Sequence, residues 1–269
     1  MGFLTDVVAE VRAELADGSL DAEALRRAAD AAPEARSLAA TLKGFAEQDG
    51  VAVIAEVKRA SPSAGPIAGD VDPVAQAIAY QGSAAAISVI TEPRHFAGSI
   101  DDLRNVRAAV QRPVLRKDFL VDPSQLVEAR AAGADSVLLI TSCLERGELA
   151  SMLAASRELG MEPLVETHSD DDLERALDTD AEVIGVNARD LETLEVDVAV
   201  ALQRLRRVPP DRVAVLESGI GSRADVVAAV RAGASAVLVG EALMRSKDPA
   251  TLIDALLHGD DVAAREVSG

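Results

Sequence analysis

From Val51 onward the chain alternates short apolar runs with longer segments of helical period. Runs at 51–57, 84–90, 113–117, 135–140, 162–166, 182–187, 213–217 and 235–240 have the length and character of buried parallel strands. Helical patterns cover 72–81, 101–110, 123–131, 145–159, 169–178, 196–207, 222–231 and 248–257. Asp72-Pro73, Asp122-Pro123 and Asp248-Pro249 each put a capping aspartate before a proline suited to a first helical turn. Segments 131–140 and 231–240 read alike, as helix, glycine stop and buried strand. Eight strands alternating with eight helices and no linker predict an α/β fold, a (βα)8 TIM barrel over 50–258 in one domain. A doubly wound open sheet is the structural alternative.

Residues 1–49 precede the first strand and carry two apolar stripes of helical period. Phe3, Leu4, Val7, Val8, Val11 and Leu15 form one; Leu38, Leu42 and Phe45 form the other. Gly18-Ser19 and Pro33 divide the stretch into two or three helices, expected to cap an end of the barrel as an N-terminal extension. Residues 259–269 read as a flexible acidic tail.

The stretch 53–65 is where the pattern turns from packing to chemistry. A buried strand there ends in Glu56 and Lys58, then breaks into Ser, Pro and Gly. Side chains two apart in a strand share a face, so Ile54, Glu56 and Lys58 point together. Buried acid and base cost desolvation free energy unless paired or used, and a structural ion pair is as good a reading of these two alone. The pattern returns at other strand ends, however. Strand 2 runs into Thr91-Glu92, with Phe96 in the loop; strand 3 presents Lys117 and Phe119 on one face. Strand 5 ends in Glu166, strand 6 in Asn187 then Arg189, strand 7 in Glu217-Ser218-Gly219 and strand 8 in Gly240-Glu241. Barrel active sites lie at this end of the strands. So much inward charge is a poor way to stabilise a core, and a site is predicted. Arg59, Arg116 and Asp118 have the opposite parity and are expected to pair with the helix layer. His168 has inward parity but reads as a loop or capping residue, and Glu92 and Glu241 as solvated. Phe96 and Phe119 serve either as core or as a wall for a flat aromatic ligand.

Composition narrows the chemistry. Apolar residues make up 49% of 269, ample for a core. A net charge of −18 argues against nucleic acid, whose phosphates are bound by an excess of Lys and Arg. The absence of an 18-residue apolar run or a signal-like start predicts no membrane association, and the single Cys143 suits a reducing cytoplasm. Only four of the 27 basic residues are lysines, Lys43, Lys58, Lys117 and Lys247. Two of these end predicted strands, where arginine could not donate a proton, a hint of acid–base or Schiff-base chemistry. The small-residue turns 217–220 and 239–242 suit a phosphate, because backbone N–H groups can approach it closely. The three glutamates could hold a divalent metal instead, but two lysines in the same mouth would compete with it.

The segments I-A-E-V-K-R-A-S-P-S at 54–63, I-S-V-I-T-E at 87–92 and P-V-L-R-K-D-F at 113–119 resemble the indole-3-glycerol phosphate synthase family. So do L-V-E at 164–166, I-G-V-N-A-R-D-L at 184–191, E-S-G-I at 217–220 and L-V-G-E-A-L-M at 238–244. The resemblance runs from the N-terminal helices to about residue 257; no second barrel follows, so the monofunctional form is expected. It implies ring closure, decarboxylation and dehydration of 1-(2-carboxyphenylamino)-1-deoxyribulose 5-phosphate, without metal or organic cofactor, by a cytoplasmic monomer or weak homodimer. Lys117 is then the general acid and Glu166 the general base. Lys58 holds the substrate carboxylate or shares proton delivery, and Glu56 orients the lysines and substrate hydroxyls. Asn187 and Glu217 bind hydroxyls; Ser61, Arg189, Ser218, Gly219, Gly240 and the backbone of Glu241 surround the phosphate. Pro62, Phe96, Phe119 and Leu138 wall the ring.

Two positions depart from the family pattern. Ala64 replaces the lysine of S-P-S-K-G, which is expected to weaken affinity or alter the loop, and Asp180 replaces a glycine with local effect only. Rival readings are another phosphate-binding barrel enzyme (a phosphosugar isomerase or Schiff-base lyase) and a catalytically silent ligand-binding barrel.

Overall fold

The computed structural model describes residues 2–18, 21–62, 65–67 and 71–259. Eight parallel strands close a barrel: β1 Ala52–Val57, β2 Ala86–Ile90, β3 Val114–Lys117, β4 Ser136–Ile140, β5 Leu164–Thr167, β6 Val183–Asn187, β7 Val213–Glu217 and β8 Ala236–Val239. Each pairs with its sequence neighbours, and β8 returns to β1 through Ala52↔Ala236 and Ile54↔Leu238. The closed ring excludes the open sheet. Most strands start one or two residues later than the apolar runs, which include the turn leading in.

Helices α1 Phe3–Ala16, α2 Ala22–Ala31 and α3 Leu38–Asp49 precede the barrel. The outer layer comprises α4 Pro73–Tyr80, α5 Pro93–Phe96, α6 Ile100–Ala109, α7 Pro123–Ala131, α8 Arg146–Glu158, α9 Asp170–Leu177, α10 Val198–Leu205, α11 Arg223–Arg231, α12 Glu241–Arg245 and α13 Pro249–His258. The three Asp-Pro signals open α4, α7 and α13, and each aspartate accepts a backbone N–H of the first turn. The short helices α5 and α12, in the loops after β2 and β8, are additions that periodicity over so few residues cannot reveal.

The first three helices run from one end of the barrel to the other. α3 lies under the amino-terminal end: Leu38 and Leu42 are fully buried, Ala39 N–H donates to Glu162 at 2.8 Å, and Lys43 meets Glu182 at 2.5 Å. α2 packs on α7 along the side. α1 crosses the opposite mouth, where Leu4 N–H donates to Leu191 O at 3.2 Å and Thr5 Oγ1 to Glu192 at 2.6 Å. Arg94 pairs with Glu10 and Glu14, and Arg12 with Glu148 at 3.2 Å.

Arg59, Arg116 and Asp118 have the structural partners that their parity predicts. Arg59 pairs with Asp102 and Arg116 with Glu128 at 2.8 Å and Asp118 at 3.1 Å. Asp180 is at the surface, paired with Arg157. Ala64, Ser19 and the tail from 260 lie outside the described residues. Among the described residues no helix is long and apolar enough to cross a membrane.

Candidate active site

A cavity of about 560 Å³ opens at the carboxy-terminal end of the strands, and all sixteen residues singled out from the sequence line it. Their chemistry is sorted by strand. Phe96 and Phe119 follow β2 and β3 and Leu138 lies within β4, so one side of the cavity carries an apolar wall. Arg189, Ser218, Gly219, Gly240 and Glu241 follow β6, β7 and β8 and put polar groups and small-residue turns on the other side, among Leu191, Leu194, Val196 and Ile220. Ser61 and Pro62, after β1, stand where the two sides meet.

The floor is charged. Lys58 Nζ is 2.9 Å from Glu56 Oε1; Lys117 Nζ is 3.1 Å from Glu166 Oε2 and 3.6 Å from Glu217 Oε2. The three carboxylates are at most 2% exposed. Neighbouring glycines make room for two of them. A Cβ on Gly185 would come within 2.2 Å of Glu217 Oε1, and one on Gly240 within 2.5 Å of Glu56 Oε1. Among the described residues, Glu56 Oε2, Glu166 Oε1, His168 Nε2 and both Glu217 oxygens are buried without a hydrogen-bond partner, as expected of groups facing a ligand.

Burial and neighbours set the proton inventory. Burial pushes the Lys117 ammonium toward neutrality, but Glu166, Glu217 and Glu56 outweigh it and raise its pKa above the usual lysine value. For Glu166, burial acts upward and is overcome by Lys117 and then His168, which hold it well below the usual carboxylate range. Glu217 goes the other way: burial, then the adjacent Glu166 charge, lift it well above that range. The neighbours therefore favour the charged forms of Lys117 and Glu166 and the protonated form of Glu217.

On the polar side, Ser218 (φ 65°) and Gly219 (φ 74°) are consecutive left-handed residues. This turn exposes successive N–H groups of the kind that cradle an anion. Asn187 Oδ1 accepts from Arg189 N at 2.9 Å, and Arg189 Nη1 donates to Leu194 O at 2.9 Å. The Glu241 side chain pairs with Arg245 at 3.0 Å, and both residues line the cavity.

Three residues fall differently from the sequence reading. Glu92 is not solvated; it is 5% exposed and accepts from the N–H groups of Arg94, His95 and Phe96, capping α5. Its signal was the Glu-Pro pair, the same cap-then-proline order as the Asp-Pro sites. His168 is more than a loop residue, since its Nε2 lies 3.0 Å from Glu166 Oε1 and its side chain is 8% exposed. Its inward parity was the available signal. Phe3, from α1, lines the cavity with its ring centroid 6.5 Å from Phe96 and 6.3 Å from Phe119, both edge-on. No pattern in the sequence joins residue 3 to the barrel mouth.

A family model for indole-3-glycerol phosphate synthase matches residues 4–256. Curated relatives include indole-3-glycerol phosphate synthase 1 of Streptomyces coelicolor, 48% identical over 271 residues and 98% of each chain. The enzyme of Leifsonia xyli subsp. xyli is 52% identical over 252 residues, covering 90% of this chain and 96% of that one. Among solved structures, 3-hexulose-6-phosphate synthase superposes with a TM-score of 0.63 at 17% identity over 78% of this chain and 99% of that one, a likeness of fold. The chain belongs to the indole-3-glycerol phosphate synthase family, carboxy-lyases of tryptophan biosynthesis.

Proposed function

We propose that this mouth closes the indole ring of 1-(2-carboxyphenylamino)-1-deoxyribulose 5-phosphate with Lys117 as general acid and Glu166 as general base. The observation that carries the reading is an ammonium held 3.1 Å from an ionised carboxylate, beside a wall of aromatic rings. The ring carbon bearing the carboxylate attacks the ribulose carbonyl carbon; a C–C bond forms, and Lys117 protonates the carbonyl oxygen. The bond to the carboxylate breaks, its electron pair restores aromaticity and CO2 leaves. The new hydroxyl then takes a second proton and departs as water, while Glu166 removes a proton from the carbon next to nitrogen. Two protons are delivered and one recovered, so a carboxylate substrate takes up one proton per turnover. Contact between Glu166 and Lys117 lets the recovered proton return to the lysine. Each such acid or base contributes about 10²–10⁴-fold.

Substrate binding follows the division of the rim. The aromatic ring sits against Phe96, Phe119, Leu138 and Pro62, with Phe3 closing that side. Lys58, oriented by Glu56, meets the substrate carboxylate. Asn187 and the neutral Glu217 take the ribulose hydroxyls, and the phosphate lies on the N–H groups of 218–219 and 240–241 with Arg189 and Ser61. One folded unit, with the N-terminal helices docked on the barrel, supplies all of these groups.

The test is indole fluorescence on mixing protein and substrate with a chelator present; the chain has no Trp to mask it. A rising signal is expected. A flat trace with calorimetric binding intact would contradict the reading and point to a silent barrel.

A further inference from the structure

We infer that His168 is a positioning residue for ring closure, holding one oxygen of Glu166 so that the other faces Lys117 and the substrate. The inference rests on the proposal above that Glu166 is the base. A glutamate's terminal torsion is broad and nearly two-fold, so burial alone does not decide which oxygen faces the substrate. Both are approached here: Oε2 accepts a hydrogen bond from Lys117 Nζ at 3.1 Å, and Oε1 lies 3.0 Å from His168 Nε2, a close contact without hydrogen-bond alignment.

The imidazole is itself held from its far side and its backbone. Nδ1 lies 3.3 Å from Ser142 Oγ, in the 3₁₀ turn Thr141–Cys143 that follows β4. With the hydroxyl donating to Nδ1, the ring proton sits on Nε2, the nitrogen 3.0 Å from Glu166 Oε1. His168 N–H donates to Asp172 Oδ2 at 3.2 Å, and its carbonyl accepts from Arg204 Nη1 at 2.6 Å. The ring cannot swing away without breaking one of these contacts, and Glu166 inherits that rigidity.

The charged and titratable groups facing Glu166 are Lys117 from β3, Glu217 from β7 and His168 beyond its own strand, with the buried Cys143 thiol nearby. Around the imidazole stand Asp190 from the loop after β6 and Arg204 from α10. Lys117 and His168 both favour the ionised carboxylate, so loss of His168 raises the pKa of Glu166. The base works only when ionised, so activity then fails at a higher pH on the acid side.

The test compares full-length His168→Leu, His168→Asn and His168→Gln with wild type and Glu166→Gln in the indole assay. Glutamine places an amide donor where Nε2 was; asparagine reaches only the Nδ1 position. For Leu and Asn, kcat is expected to fall about tenfold to a hundredfold, the range for losing a buried polar contact to a charged group. KM should change less than kcat, and the acid limb of the pH profile should move up; Gln should recover most of kcat. Should the Leu variant not fold, the Asn–Gln comparison carries the same decision. Wild-type kcat and pH limb in Leu or Asn, or Gln no better than Asn, would overturn the role of His168. Full activity in Glu166→Gln would instead overturn the assignment of the base.

Discussion

Lys117 on β3 and Glu166 on β5 meet at 3.1 Å, although β4 stands between their strands in the ring. Each reverses what burial would do to the other, while burial and the Glu166 charge shift Glu217 toward its protonated form. One signal of a protonated buried glutamate is expected by carboxyl carbon NMR near about pH 7, where free glutamates are ionised. It should vanish in Glu217→Gln. The sign for stability follows. A carboxyl whose pKa is raised by folding loses stability as pH rises from the unfolded value toward the folded one, so wild type should lose ground to Glu217→Gln above about pH 4. Glu166 behaves oppositely: its stabilisation is present above the unfolded pKa and lost as pH falls through its lowered folded pKa. A fully ionised set of carboxyls at neutral pH would refute this inventory.

The glycines beside the carboxylates give a second prediction. Gly185→Ala would push on Glu217 Oε1 and Gly240→Ala on Glu56 Oε1, at 2.2 and 2.5 Å. Neither glycine has a positive φ, so the contact with the carboxylate is the first obstacle to alanine. Overpacking of this kind costs about 1–3 kcal/mol. Thermal unfolding should show that loss, with kcat falling in both variants. Unchanged Tm and kcat would mean that the carboxylates have room to move.

Much of this site was legible because strands impose a period of two. Parity alone aimed Glu56, Lys58, Lys117, Glu166 and Glu217 at one mouth, and the Asp-Pro caps marked three helices. Reasoning by parity stops where the strand does. His168 is one residue past β5, and its contact with Glu166 depends on Ser142, which lies in another loop. Glu92 was misjudged because a carboxylate at a strand end looks solvated until the turn it caps is seen. Phe3 reaches the cavity only because three helices wrap the barrel from mouth to base, a path set by tertiary packing.

Phe3 supplies a third prediction. Its ring touches those of Phe96 and Phe119, and also His95 at 5.2 Å, so it completes the apolar side of the rim. Phe3→Ala should raise KM about tenfold, the worth of one aromatic contact and its burial, with a smaller change in kcat. Steady-state kinetics decide it. An unaltered KM would place the substrate ring away from α1.

Lys117 is held as an ammonium between two carboxyl groups, which makes it an acid and a poor nucleophile. Borohydride added during turnover should therefore trap no covalent adduct by mass spectrometry. An adduct at Lys117 or Lys58 would replace acid–base chemistry with an imine.

The most direct test of the central claim is Lys117→Ala, measured for indole formation and for substrate binding in the same preparation. The floor loses its acid while the phosphate turns and the aromatic wall remain. Ring closure should fall by about 10²–10⁴-fold, with calorimetric affinity largely kept. Turnover near the wild-type rate would contradict the assignment of Lys117 as the general acid.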